Sequence, residues 1–187
     1  MGNSVASTKN KSQLLLLVLA FVIPVILAKL FLTFDFKGQV KTHGGELLSI
    51  DATYPQMLGD IPLKDKKWRV VFFTNQPCTT QCIDGLFYIQ QTYKALGRLQ
   101  ERVSLDLLNT SSLESASIPD ELSLSMFSQH LVSELLMPEL NNKVVIIDPL
   151  GNLVMSYVFD AQREQNLIKA HDMLLDIKKL LKLSRIG

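Results

Sequence analysis

Trp68-Arg69-Val70-Val71-Phe72-Phe73-Thr74 runs straight into Asn75-Gln76-Pro77-Cys78-Thr79-Thr80-Gln81-Cys82, and this stretch decides the fold. Its first half is a short continuous run of apolar, β-branched and aromatic residues, the pattern of a strand covered on both faces. Asn75-Gln76-Pro77 breaks the run. From about residue 79 to 99, Cys82, Leu86, Ile89, Tyr93 and Leu96 recur at spacings of three and four, which predicts a helix that Gly97 ends. Cys78 and Cys82 are the only cysteines in 187 residues, and they stand where strand gives way to helix.

Outward from this junction the elements alternate. His43-Gly44-Gly45-Glu46-Leu47 reads as the end of a tether followed by a strand or hairpin. Residues 103–108 form the next strand candidate and residues 109–112 the loop behind it. Ser117-Ile118-Pro119-Asp120 carries a capping serine, an early proline and an acid at the positive dipole end, so an amphipathic helix is expected from there to about Leu136, with His130 on it. Residues 144–147 are a third buried strand, and Asp148-Pro149-Leu150-Gly151-Asn152 is a tight turn in which Asp bonds its own backbone and Pro fixes φ. Residues 153–159 are its hairpin partner, and a last helix runs from about 163 to 183. The order β, α, β, α, β, β, α predicts an α/β fold, a thioredoxin-like sandwich with a central mixed sheet flanked by helices.

Ahead of this domain, residues 14–32 read LLLLVLAFVIPVILAKLFL with the single charge Lys29. About 20 mostly apolar residues cross a hydrocarbon core, whereas a signal-peptide core has about 7–15, and no small-residue cleavage signal follows. Pro24 is tolerated in a membrane helix. The expected organisation is a cytoplasmic lead over 1–13, a transmembrane anchor over 14–32, a tether over 33–45 and a thioredoxin-like domain over 46–187. Lys9 and Lys11 precede the span and Lys29, Lys37 and Lys41 follow it, so basic residues do not fix its direction. The paired cysteines favour an oxidising compartment, which puts the domain outside the cytoplasm.

A net charge of +1 with mixed signs leaves no electrostatic footprint for nucleic acid. Between Arg102 and Lys143 there are six acids and no Lys or Arg, read as a solvated face. No Ser/His/Asp arrangement, phosphate-cradling glycine loop or carboxylate pair stands at a recognisable spacing. The chemistry therefore rests on sulfur. Cys78 and Cys82 are the candidate catalytic residues and equally the candidate metal ligands, because sulfur is both a nucleophile and a soft ligand suited to Cu(I). On the first turn of one helix, i and i+4 place Cβ atoms about 5–6 Å apart, while a disulfide wants about 3.8 Å. That geometry favours a shared ion over a disulfide unless the turn is irregular. His43, His130 and His171 form no cluster and are expected to be solvent-facing or packed.

FFTNQPCTTQC followed by DPLGNLVMSYV, behind one anchor, resembles the Sco family and its thioredoxin-like relatives associated with cytochrome c oxidase assembly. Ala95-Leu96-Gly97-Arg98 with Arg102-Val103, and Leu180-Leu181-Lys182-Leu183-Ser184-Arg185-Ile186-Gly187, are similar to stretches of small membrane-anchored bacterial proteins among the oxidase-assembly factors. The resemblance implies an assembly factor in the bacterial inner membrane, single-pass, with its C-terminal domain in the periplasm. Cys78 and Cys82 would handle copper or the thiols of an oxidase copper site, and the partner would be an oxidase subunit or another assembly factor. The Sco family also has a histidine ligand shortly before the strand of the Asp-Pro turn. Here that approach, Pro138-Glu139-Leu140-Asn141-Asn142-Lys143-Val144, has no imidazole, and Thr79 and Ile83 replace the prolines that follow the family's cysteines. Two other readings stand beside it: a general thiol–disulfide oxidoreductase with Cys78 attacking and Cys82 resolving, and a non-catalytic oxidase-binding scaffold.

Overall fold

The computed structural model describes residues 6–33, 42–74, 78, 80–110, 119, 121–132, 138–159 and 162–186. They belong to two units, residues 1–41 and 42–187. The first unit holds α1 (Ala6–Thr33), with Pro24 inside it. Within α1, Gln13–Leu30 has a mean hydropathy of 2.5 and is long and apolar enough to cross a membrane. The polar lead before Ala6 and the tether segment 34–41 lie outside the described residues.

The second unit is built on β2 (Trp68–Thr74), in which all seven residues are buried. It pairs in parallel with β3 (Val103–Asn109) and antiparallel with β5 (Lys143–Ile147). On the far side of β5 lies its hairpin partner β6 (Leu153–Val158), and then the two-residue β1 (Glu46–Leu47). With β4 (Ser128–Leu131) beyond β3, the order across the mixed sheet is β1-β6-β5-β2-β3-β4. Strand alternation sends Val70, Phe72, Leu105 and Leu107 to one face, under α3 (Thr80–Ala95) and α4 (Arg163–Leu183). Val71, Phe73, Leu108 and Val145 go to the other, with Tyr54 and Met57 of the one-turn α2 (Tyr54–Met57). Each such fully buried side chain contributes roughly 1.5–3 kcal/mol.

Two features fix α3 in place. Gly85 presses on β2 so closely that a Cβ there would stand 2.7 Å from Phe72 Cε2. Beside it, the Tyr88 hydroxyl donates to Arg163 O at 3.4 Å and the Thr92 hydroxyl to Ala170 O at 3.4 Å, so α3 and α4 run in the same direction. At their carboxyl ends the Arg102 guanidinium donates to Leu181 O at 2.8 Å and Ser184 O at 3.2 Å, satisfying carbonyls that the end of α4 leaves open. Gly97, with φ +58°, follows α3 as expected, and a 3-10 turn covers Gly97–Arg102. The closing turn also matches expectation: Asp148 Oδ1 accepts from Leu150 N at 2.9 Å and Asn152 N at 2.8 Å, and Gly151 takes φ +95°.

The helix expected over residues 117–136 is corrected where the chain is described. Residues 124–126 make a 3-10 turn, and Ser128–Leu131 is the edge strand β4, parallel to β3. The outer edge of β3 offers unpaired N–H and C=O groups, and a strand satisfies them where a helix cannot. His130 is therefore a strand residue, opposite Leu108. The expected breaks at 75–77 and 111–112, the capping residues Ser117, Ile118 and Asp120, and the helix end at 133–136 lie outside the described residues.

Candidate functional site

β2 ends at Thr74 and α3 starts at Thr80, so only Cys82 lies in the helix's first turn, while Cys78 precedes it. The two are joined by a disulfide with Cα atoms 5.2 Å apart. This corrects the expectation that one regular turn would carry both thiols and favour a shared ion. Because Cys78 stands off the helix, it can approach closer than i, i+4 helical spacing allows. Their exposures differ: Cys82 is 1% exposed inside the core under α3, while Cys78 is half-buried at the core's margin.

Neighbouring elements hold the amino end of α3. Gln81 Nε2 donates to Phe159 O at 2.8 Å, tying the helix start to the end of β6. Phe159 stacks on Tyr88 with ring centroids 5.4 Å apart. Beyond Cys82, Ile83, Asp84, Phe87, Tyr88, Glu121 and Arg163 line a hollow of 260 Å³. The first turn of a helix leaves its N–H groups without partners inside the helix and carries the positive end of the dipole, both of which favour a sulfur leaving as thiolate. A five-residue loop is a weak staple, removing chain entropy worth about 2 kcal/mol.

The imidazoles lie elsewhere. His130 belongs to the opposite face of the sheet from Cys82: its ring meets Tyr54 edge-on at 6.3 Å, and Nε2 stands 3.8 Å from Asp106 Oδ2. Asp106 also receives the Tyr54 hydroxyl at 3.0 Å and Arg69 Nε at 3.4 Å. Burial pushes its carboxyl up, more than Tyr54, Arg69 and His130 pull it down. His43 is held by a second carboxylate: its Nδ1 is 2.8 Å and its backbone N 3.0 Å from Asp176 Oδ1, and the Tyr157 hydroxyl donates to Oδ2 at 2.7 Å. Burial raises the Asp176 carboxyl, but the bonds from His43, Tyr157 and Gly44 together hold it below the usual range. His171 is exposed on α4.

Among the described residues no group of three or more His, Cys, Asp or Glu is placed to hold a metal ion. Among the described residues no histidine completes a Cys–Cys–His set with Cys78 and Cys82: His130 lies across the sheet, and the two sulfurs are bonded to each other. Sequence reasoning found the cysteines but missed the two carboxylate clusters. Asp106 inside an otherwise apolar strand was the available signal for one, and Gly44-Gly45 for the other: a Cβ at Gly45 would stand 2.7 Å from the Tyr157 hydroxyl, marking close backbone approach.

Fold and site together define a thioredoxin-like domain with a disulfide between strand end and helix start. The family described as transmembrane-like, thioredoxin-like, C-terminal domain matches residues 68–184, and the chain belongs to it. No curated protein matches the chain. Among solved structures it is similar to apo Sco1 from Thermus thermophilus, at 16% identity and TM-score 0.42, covering 63% of this chain and 80% of that one. It is also similar to copper-bound ScoI from Arabidopsis thaliana, at 11% identity and TM-score 0.40, covering 62% and 86%. A putative protein disulfide isomerase from Bacteroides thetaiotaomicron has 14% identity and TM-score 0.42, covering 63% and 76%. At these identities and scores the likeness does not extend to chemistry.

Proposed function

We propose that the chain is a membrane-tethered, Sco-like assembly factor that exchanges thiols and disulfides with the cysteines of a cytochrome c oxidase copper site. The supporting observation is the asymmetry of the pair: a half-buried Cys78 bonded to a buried Cys82 at a helix amino end. The oxidase pathway is supported by the sequence resemblance, and with it a periplasmic domain in the bacterial inner membrane and an oxidase subunit or fellow assembly factor as partner.

In the reduced pair the Cys78 thiolate attacks one sulfur of a target disulfide. That S–S bond breaks, the displaced target sulfur leaves as thiolate, and a mixed disulfide forms. The Cys82 thiolate then attacks Cys78 Sγ, forming the Cys78–Cys82 bond and releasing the second target thiol. Two electrons pass to the target, which takes up the protons the pair gives up. A dithiol donor must return the pair to the reduced state. The positive dipole end of α3 stabilises the Cys82 sulfur each time it carries charge.

Expression of variants in a strain lacking the native protein tests this. Cys82→Ser should accumulate a mixed disulfide with the target, resolved by reductant, and Cys78→Ser should not. Full restoration of oxidase activity by the double serine variant would overturn the proposal and leave a scaffold. Retention of one Cu(I) by the reduced wild type against a chelator, lost in Cys78→Ser, would replace exchange by copper handling.

A further inference from the structure

The carboxyl end of α4 collects charge of one sign. Lys178, Lys179, Lys182 and Arg185 are exposed, with no acid between Ile177 and Ile186, and Leu183 and Ile186 are exposed among them. Arg102 joins them through its bonds to Leu181 O and Ser184 O, and brings Arg98 and Glu101 on its own 3-10 turn. Glu101 is the one acid on that turn, and Asp176, one helical turn back, is occupied by His43 and Tyr157. Basic side chains with interspersed large apolar ones suit an anionic lipid surface, where each Lys or Arg gains headgroup attraction and the apolar tips enter the interface.

Covalent connection favours lipid over an acidic protein as the occupant. Eight residues lie between Thr33, the end of α1, and Thr42, a reach of at most roughly 30 Å. The chain enters the domain beside α4, since His43 is bonded to Asp176. From Asp176 to Lys182 is about 9 Å of helix rise. The basic end is thus tied by a short chain to a helix able to cross a bilayer. Cys82 lies at the opposite end, because α3 and α4 run in the same direction with Tyr88 against Arg163, and α4 is roughly 30 Å long.

We infer that the carboxyl end of α4, with Arg98, docks on anionic phospholipid headgroups of the bilayer that α1 enters, and so presents the cysteines away from the membrane. The inference uses α1 as a membrane helix and is independent of the thiol chemistry.

The test uses the full chain carrying Ile186→Trp in bilayer nanodiscs with brominated lipid. The parent chain, with its buried Trp68, gives the background. With phosphatidylglycerol present, quenching of the new indole should exceed that in pure phosphatidylcholine by at least about threefold. Molar salt, which shortens the Debye length to about 3 Å, should abolish the difference. Lys178→Gln with Lys182→Gln and Arg185→Gln should abolish it too, while Cys78→Ser with Cys82→Ser should keep it. The salt arm needs no charge variant, so misfolding of the triple variant leaves the test intact. Equal quenching in both lipids, a salt-insensitive difference, or quenching that requires an added acidic protein would each overturn the inference.

Discussion

Two histidine–aspartate–tyrosine clusters lie on opposite faces of one sheet, and their carboxylates are driven in opposite directions. Burial is the largest influence on both and raises both. At Asp176 the His43 ring and backbone, Tyr157 and Gly44 converge, and their bonds hold the carboxyl low. At Asp106 the Tyr54 hydroxyl makes the close bond, Arg69 Nε stands at 3.4 Å and His130 at 3.8 Å, and burial prevails. Hydrogen-bond convergence, rather than the presence of a basic neighbour, separates the two. Both phenols are pushed far up by burial and their carboxylate partners, so each remains a donor.

The largest way to break this contrast is Asp106→Ala. It leaves the buried Tyr54 hydroxyl without its partner and Arg69 without its counter-ion, although the guanidinium keeps the carbonyls of Asp65 and Lys67, and should cost about 3 kcal/mol in urea unfolding. Asp176→Ala removes bonds to a carboxylate on a side whose His43 is partly in water, so about 2 kcal/mol is expected. The same variant should speed amide exchange at His43 and Gly44, while Asp106→Ala should leave those amides unchanged.

Stability against pH sharpens the contrast through its sign. Asp176 is lower in the folded chain than in the unfolded one, so its contribution is present above the unfolded pKa and is lost as pH falls through the folded value. Asp106 is raised, so its contribution is complete below the unfolded pKa and is lost as pH rises through the folded value. Asp176→Asn should therefore flatten the gain in stability below about pH 4, and Asp106→Asn should steepen the profile above about pH 4. Unfolding midpoints at stepped pH check both; a shift of the same sign in both variants would refute the assignment. The smallest effect is expected from His130→Ala, about 0.5 kcal/mol, because a partly exposed ring at 3.8 Å is a weak ion-pair partner.

The same contrast shows how much could be read from the chain beforehand. β2, α3, the Asp148 turn, the hairpin and α4 were legible because each carries its own periodicity or turn chemistry, and the thioredoxin-like architecture followed from their order. β4 was not. Leu122-Ser123-Leu124-Ser125-Met126 alternates with a period of two, but a nearby proline and serine cap favoured helix, and what decides the segment is the open edge of β3, a tertiary demand. The cysteines were legible as a pair; their bond was not, because it depends on Cys78 standing off the helix. His43 looked like tether because its partner lies 133 residues away.

The contact of Gly85 with Phe72 governs what opening of the sulfur bridge can transmit. A helix resting its bare backbone on an aromatic ring has no room to slide or roll without collision. With α3 seated this closely on β2, opening the Cys78–Cys82 bond is expected to leave the seating of α3 on the sheet unchanged. A partner that reads the oxidation state would then read it at the rim where Cys78 stands.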